Sequence, residues 1–372
     1  MGSQGHRLLA SHDVNFGNAQ TCIDLNSVLG DGTCGQFYAD SPFTIPAGTT
    51  LPVPFHLPYS GNGGGPTVIP QGTTLANDLQ LVGLRRYSSP NCDPLTGTGC
   101  PQDGTPVFSS IFAEDTIANS NYNSLQVSLE KRFSHGLQAE LAYTFSKSFD
   151  QASSFEGELN PLDPHGTYSL SQFDARHRLV LSYVWQLPIP KYSGFAGKVL
   201  SDWDVSGIYT YQSGFPIRIT SSADNELMYS AFFEYPGEPD QIAPFRRTDP
   251  QATGGYWFDP NSFTENASDD SEPPCSAGAV FNCYDPSLFG RIGNARRTIC
   301  CGPPVNNIDF AVHKVLPVGE GKRFEFRAEF YNLFNHSQFN SPDGSSTDGS
   351  DFGRILRAKQ PRLIQMALKF YF

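Results

Sequence analysis

Pro361-Arg-Leu-Ile-Gln-Met-Ala-Leu-Lys-Phe-Tyr-Phe372, the last twelve residues, spell a strand with a period of two. Ile364, Met366, Leu368, Phe370 and Phe372 fall on one face, and Leu363, Gln365, Ala367, Lys369 and Tyr371 on the other, because successive side chains point to opposite sides of a pleat. In water, a strand edge flanked by so apolar a row templates aggregation. A strand in the wall of a membrane barrel keeps that row in hydrocarbon.

Working outward, the same alternation recurs. In Asn121 to Asp150, Tyr122, Leu125, Val127, Leu129 and Phe133 mark an apolar face against Gln126, Ser128, Glu130 and Arg132. After Ser134-His135-Gly136, Leu137, Ala139, Leu141, Tyr143 and Phe145 alternate with Gln138, Glu140, Thr144 and Ser146. Ala175 to Leu187, Ser201 to Thr220 (with a bulge at Ser213-Gly214), Asn307 to Leu316 and Lys322 to Asn335 follow the pattern. Val107 to Ala118 and Gly2 to Val14 follow it more weakly. With the terminal strand this gives about nine, each roughly 10 to 14 residues, the length that crosses a tilted bilayer rather than the five or six of a soluble sheet. The expected fold is all-β: an antiparallel transmembrane β-barrel segment of about nine long strands with long extracellular loops. Residues 1–118 read as weak strands and a long irregular Pro and Gly-rich segment, and 119–372 as the barrel, with long loops at 151–174, 222–304 and 337–360.

Connections give a separate test. Long links (Ser337 to Gln360, Ser222 to Pro304, Gln151 to Asp174) alternate with shorter ones (Pro317 to Gly321, Pro188 to Val199, Ser134 to Gly136), as in barrels with long outer loops and short periplasmic turns. The same parity puts Asn15 to Gly104 on the periplasmic side, where so long a segment has no place as a turn.

Only 17% of the 372 residues are charged and 13% are aromatic, and 35 Gly and 29 Pro supply turns. No run of about 18 apolar residues is present, so a membrane crossing has to use strands. The net charge of −12 excludes nucleic acid as a partner. Ser222 to Pro304 alone holds twelve Asp or Glu against five Arg or Lys, a solvated acidic loop. The opening Met1-Gly-Ser-Gln-Gly-His-Arg-Leu-Leu is no signal peptide, so the beginning of an envelope protein is expected to be missing.

All eight cysteines lie outside the expected strands, which points to an oxidising compartment. Short-range disulfides Cys22 with Cys34, Cys92 with Cys100 and Cys275 with Cys283 are the natural loop staples, leaving Cys300 and Cys301 as a vicinal bridge or two free thiols. Paired Cys/His spacing is absent, which disfavours zinc. Asp24 to Gly32 and Asp93 to Gly99 lack the spacing of a calcium loop, and Gly61-Asn-Gly-Gly-Gly-Pro lacks the Lys-Ser/Thr of a phosphate loop. Phe173-Asp-Ala-Arg-His-Arg178 is the densest polar cluster. It has no nucleophile in an identifiable turn, so no enzyme, cofactor or metal is expected; Asp174 and the arginines read as loop-to-strand anchors. His135 and His336 read as solvent-exposed turn residues. Tyr229 to Tyr235 and Tyr256-Trp-Phe read as loop cores, with stacking on a carbohydrate or peptide as the alternative.

In a bilayer the Leu, Phe, Tyr and Trp faces meet lipid, with aromatic residues near strand ends (Tyr122, Phe145, Trp185, Trp203, Tyr371). The polar faces then line a wet interior, where Glu130, Arg132, Glu140, Arg178, Glu325, Arg327 and Glu329 read as a ladder of cross-strand charges. A soluble sandwich would reverse the two faces.

Gly2-Ser-Gln-Gly-His-Arg-Leu, Asn119-Ser-Asn-Tyr-Asn-Ser-Leu-Gln-Val-Ser-Leu-Glu-Lys-Arg-Phe133, Ala142-Tyr-Thr-Phe-Ser-Lys-Ser, Phe173-Asp-Ala-Arg-His-Arg, Phe326-Arg-Ala-Glu-Phe-Tyr-Asn-Leu-Phe-Asn-His and Phe352-Gly-Arg-Ile together resemble the Oar-like TonB-dependent outer-membrane transporters. The resemblance implies the bacterial outer membrane, a barrel filled by an amino-terminal plug, coupling to TonB through that missing part, and a bulky ligand of unknown identity. It also implies an assembly signal at Gln365, Phe370 and Phe372 for the barrel-assembly machinery, with Ala367 where Gly is usual. The alternative is a surface anchor that presents acidic loops for adhesion or assembly.

Overall fold

A computed structural model describes residues 2–15, 17–30, 33, 42–57, 68–81, 85, 87, 98, 108, 111–153, 159, 165–190, 194–221, 237–264 and 293–372. Its centre is a single antiparallel meander of eight long strands. These are β1 Gly2–Asp13, β2 Phe112–Ser134, β3 Leu137–Asp150, β4 His177–Gln186, β5 Trp203–Gln212, β6 Val305–Gly319, β7 Lys322–Tyr331 and β8 Leu363–Tyr371. Each pairs with its neighbours in sequence order, and a ninth, two-residue strand, Ser169–Leu170, is added beside the end of β3.

The strand count corrects the expectation in a way that resolves its anomaly. Phe112 to Ala118 and Asn121 to Ser134 are one strand, β2, so the division at residues 118 and 119 falls inside it, while Val107 lies outside the described residues. Removing one crossing reverses the parity of everything before it. The connection from β1 to β2, residues 14–111, therefore leaves from the same end of the sheet as 151–176, 213–304 and 332–362. The opposite end carries the turns at 135–136, 187–202 and 320–321. At about 3.4 Å per residue, the 23 residues of β2 far exceed a bilayer crossing. β1 pairs with its far half, Gly2 opposite Asn123 and Asp13 opposite Phe112, and β3 with its near half.

Several strand ends also shift. β5 stops at Gln212, because Gly214 lies so close to the Gly302 backbone that a side chain cannot fit and the chain turns away. β7 stops at Tyr331, where Asn332 takes a positive φ of 52°. β6 runs through Pro317 to Gly319 with a register shift there, so the turn is Glu320-Gly321 and not Pro317 to Gly321.

The long connections at one end fold into lobes with cores of their own. Within 14–111, α1 (Ala19–Leu29), capped by the Asn18 side chain, packs Cys22 and Leu25 against Ile45, Phe55, Leu79 and Leu81. Two short ladders, Phe43–Ile45 with Leu79–Leu81 and Phe55–His56 with Val68–Ile69, frame that core. They are organised by a repeat, Ile45-Pro-Ala-Gly-Thr-Thr-Leu51 and Ile69-Pro-Gln-Gly-Thr-Thr-Leu75. In each copy a turn closes from Thr N–H to Pro carbonyl, with Gly48 or Gly72 at φ 85° or 82° in its third position, as a type II turn requires. The copies then pair reciprocally: Gly48 N–H donates to the Leu75 carbonyl and Gly72 N–H to the Leu51 carbonyl. Thr50 and Thr74 meet on the local two-fold at 3.0 Å. The described parts of the expected irregular segment thus form a folded lobe. A second lobe, from 213–304 and 332–362, is centred on Phe258, Phe263 and Phe352, which meet edge to face.

Candidate functional site

Following the registers across the sheet separates two continuous faces. One carries Val127, Leu129, Leu141, Leu181, Trp185, Val205, Val312, Phe326, Met366 and Leu368 in adjoining rows. These side chains are not gathered into a core: Leu129 is 62% and Leu368 68% exposed, and Phe372 is almost wholly exposed. The other face carries Glu130, Glu140, Ser182, Ser206, Asp204, Asp309, His313, Arg327, Glu329 and Gln365. A cavity of about 380 Å³ opens along it, lined by residues from β2 through β7, among them Glu130, Glu140, Ser206, Asp309 and Glu329.

The expected charge ladder divides in two. On β6 and β7, His313 bridges Asp204 (3.6 Å) and Glu325 (3.1 Å), and Arg327 pairs with Glu329 at 2.7 Å, with the Tyr331 hydroxyl donating to the same carboxylate. On β2 and β3 the ladder fails, because Glu130 stands directly opposite Glu140 and like charges facing each other repel. Arg178 lies opposite Thr144 and Gln212, and neither it nor Arg132 forms an ion pair with a described carboxylate. Asp204 and His313 were missed in the sequence as ladder members. The signal was present, since both fall on the polar phase of their strands.

Along β3 the polar face changes from open to covered. Gln138 and Glu140 are exposed, while Ser146, Ser148 and Asp150, toward the long connections, are buried. What covers them is the long connections themselves. Asp174 accepts from the Ser148 N–H at 2.6 Å, Ser171 meets the Ser148 hydroxyl at 2.8 Å, and Thr298 meets Ser169 at 3.0 Å. Arg297 reaches in from the second lobe, fully buried, and donates to the Asp150 carboxylate, the Asp150 carbonyl (3.0 Å), the Thr167 carbonyl (3.1 Å) and Ser153 (3.2 Å). Burial lowers the Arg297 guanidinium from its ordinary value, and the Asp150 charge works against that loss. Burial likewise raises the Asp174 carboxyl, opposed by the Ser148 hydrogen bond and by Arg176 and Lys147. Arg297 was the other residue missed: nothing in its sequence neighbourhood marks a partner 147 positions away.

The remaining expected residues are placed as follows. Gln365 lies opposite Glu329 on the polar face, and Phe370 packs at a tilt against Phe324, 4.7 Å between ring centres, on the apolar face. Cys22 is disulfide-bonded inside the first lobe, and Cys300 and Cys301 are joined to each other. Cys34, Cys92, Cys100, Cys275 and Cys283 lie outside the described residues, as does Tyr229 to Tyr235. Trp257 and Phe258 are buried in the second lobe, with Trp257 donating to the Cys301 carbonyl at 2.9 Å, so they pack rather than present a stacking surface. His177 bonds the Tyr143 hydroxyl at 2.9 Å and lies tilted against the Phe145 ring, 5.2 Å from centre to centre. His135 and His336 are exposed. Among the described residues no three His, Cys, Asp or Glu converge as metal ligands.

The arrangement is a strand wall with an exposed apolar side, a hollow polar side, and one end of the polar side roofed by lobes that a buried arginine holds down. A family model described as an outer membrane beta barrel domain matches residues 1–365. No curated protein matches the chain. The chain belongs to the outer membrane beta barrel domain family, and its place is the bacterial outer membrane.

Proposed function

We propose that this outer-membrane barrel is the carboxyl-terminal barrel part of a TonB-dependent receptor that takes up a bulky ligand, and that it performs no catalytic step. The observation that carries the reading is a pair of unsealed strand edges. Gly2 stands opposite Asn123, so the edge of β2 from Leu125 to Ser134 meets no strand among the described residues, and neither does the far edge of β8. In hydrocarbon each unpaired peptide group costs several kcal/mol, so each edge has to be met by a strand, and in this reading those strands belong to one larger wall and not to the opposite edge. Plugged transporters of about 22 strands are walls of that kind. The motifs that resemble the Oar-like transporters support the same reading, as does the roof over the polar face. Long connections lie outside and short turns in the periplasm, so the roof faces the ligand. TonB acts through the plug, and the barrel-assembly machinery reads β8 through Gln365, Phe370 and Phe372.

The test has two arms. The native polypeptide isolated from outer membranes should carry a plug that cross-links to TonB, and ligand uptake should stop when TonB is deleted. Cysteines placed at Ser128 on β2 and Ala367 on β8 should not cross-link; an efficient cross-link means that the two edges seal each other in a small barrel, and the receptor reading falls. The second reading, a surface anchor, draws on the lobes' own hydrophobic cores and disulfides. Uptake that does not depend on TonB favours it.

A further inference from the structure

β6 turns Phe310, Val312, Lys314 and Leu316 toward lipid, and an ammonium in such a row is costly enough to mark a function. Lys314 is only 6% exposed. The connection 187–202 folds back over it through α2 (Gly194–Leu200), and Lys314 Nζ donates to the Ser201 carbonyl at the end of that helix. The ammonium also lies 5.6 Å from the centre of the Trp203 ring. A carbonyl and a ring face hold the group in place without neutralising it, and no described carboxylate lies within ion-pair distance of it. Beside it runs a groove of about 320 Å³ walled by Val199, Trp203, Leu316, Phe324, Phe326 and Leu368, with Lys314 as the one charged residue among the described residues of its lining. Trp203 begins β5 and Phe324 nearly begins β7, so the groove sits at the short-turn end. That end is periplasmic, which places the groove in the inner leaflet, the phospholipid leaflet of this membrane.

We propose that Lys314 and this groove form a binding site for an anionic phospholipid of the inner leaflet, its phosphodiester on the Lys314 ammonium and one acyl chain along the aromatic wall. A zwitterionic lipid brings its own ammonium to the same place and gains less. The site holds whether the barrel transports or only anchors.

The test titrates the native polypeptide, isolated from outer membranes in a zwitterionic detergent, with phosphatidylglycerol and phosphatidylethanolamine and reads retained lipid by native mass spectrometry. The unaltered chain should retain phosphatidylglycerol about fivefold better, the factor that one basic residue near an anionic surface gives. Lys314→Met should erase the preference and Lys314→Arg keep it. Leu368→Trp, which fills the groove and leaves the ammonium alone, should lower retention of both lipids. Equal retention of the two lipids by the unaltered chain, or a preference that survives Lys314→Met, overturns the proposal and leaves Lys314 as a cap on α2 alone. Should Lys314→Met fail to fold, the lipid ratio of the unaltered chain and the Leu368→Trp result decide.

Discussion

The wall and the lobes use the same residue types in opposite ways. In the lobes, Leu25, Phe55, Phe258 and Phe263 are fully buried, as apolar side chains in water must be. In the wall, Leu125, Leu129, Met366 and Leu368 are more than half exposed, and they form one continuous face instead of meeting in a core. A chain that can bury apolar groups in one region and leaves them bare in another is facing two solvents. The boundary is visible along β3, where the polar face passes from open at Glu140 to roofed at Asp150 while the apolar face stays outward.

The largest expected effects attack the lobes. Phe258→Ala should cost about 3–5 kcal/mol of lobe stability through the cavity it leaves, whereas Leu129→Ala should change barrel stability by much less, since lipid fills the space. Urea unfolding followed separately by lobe hydrogen exchange and by barrel strand content separates the two. Arg297→Met strips the partner from the buried Asp150 and should cost about 3–5 kcal/mol, read as faster exchange in 165–176 and 293–299 with β5 to β7 unchanged. An equal loss of protection throughout would mean that wall and lobes are one cooperative unit.

Leu129→Arg should cost about 2–4 kcal/mol in barrel insertion and leave lobe exchange untouched, because the penalty belongs to charge on the lipid face. The smallest effect sharpens the roof. Asp174 has its carboxyl raised in the folded chain above the ordinary value of 3.8, so its stabilising contribution is complete below that value and is lost as pH rises through the folded one. Asp174→Asn keeps an acceptor for the Ser148 N–H and should flatten the acid-side rise in stability, with a change of less than about 1.5 kcal/mol at neutral pH. A steeper pH profile in the variant would show that the carboxylate charge stabilises the fold.

Period-two alternation made the wall legible: the Ser134-His135-Gly136 hairpin and the pairing of β7 with β8 follow directly from which residues are apolar. The joining of residues 112–134 was not legible, because Ala118-Asn-Ser-Asn breaks the apolar phase while the backbone continues extended. The first lobe was hidden for another reason. Its strands are two or three residues long, too short for any periodicity, and only the duplicated Ile-Pro-x-Gly-Thr-Thr-Leu could have announced it. The polar face was legible as a face but not as a set of pairs, since Glu130 opposite Glu140 and His313 between Asp204 and Glu325 depend on register.

The assignment of solvents is tested most directly by nitroxide labels placed singly at Leu141 and Glu140, neighbours on opposite faces of β3, in the chain inserted into lipid vesicles. Relaxation should show the label at 141 open to oxygen and shielded from a water-soluble nickel chelate, and the label at 140 the reverse. A label at 141 that the chelate reaches, or that neither reagent reaches because it is packed in protein, would contradict the account.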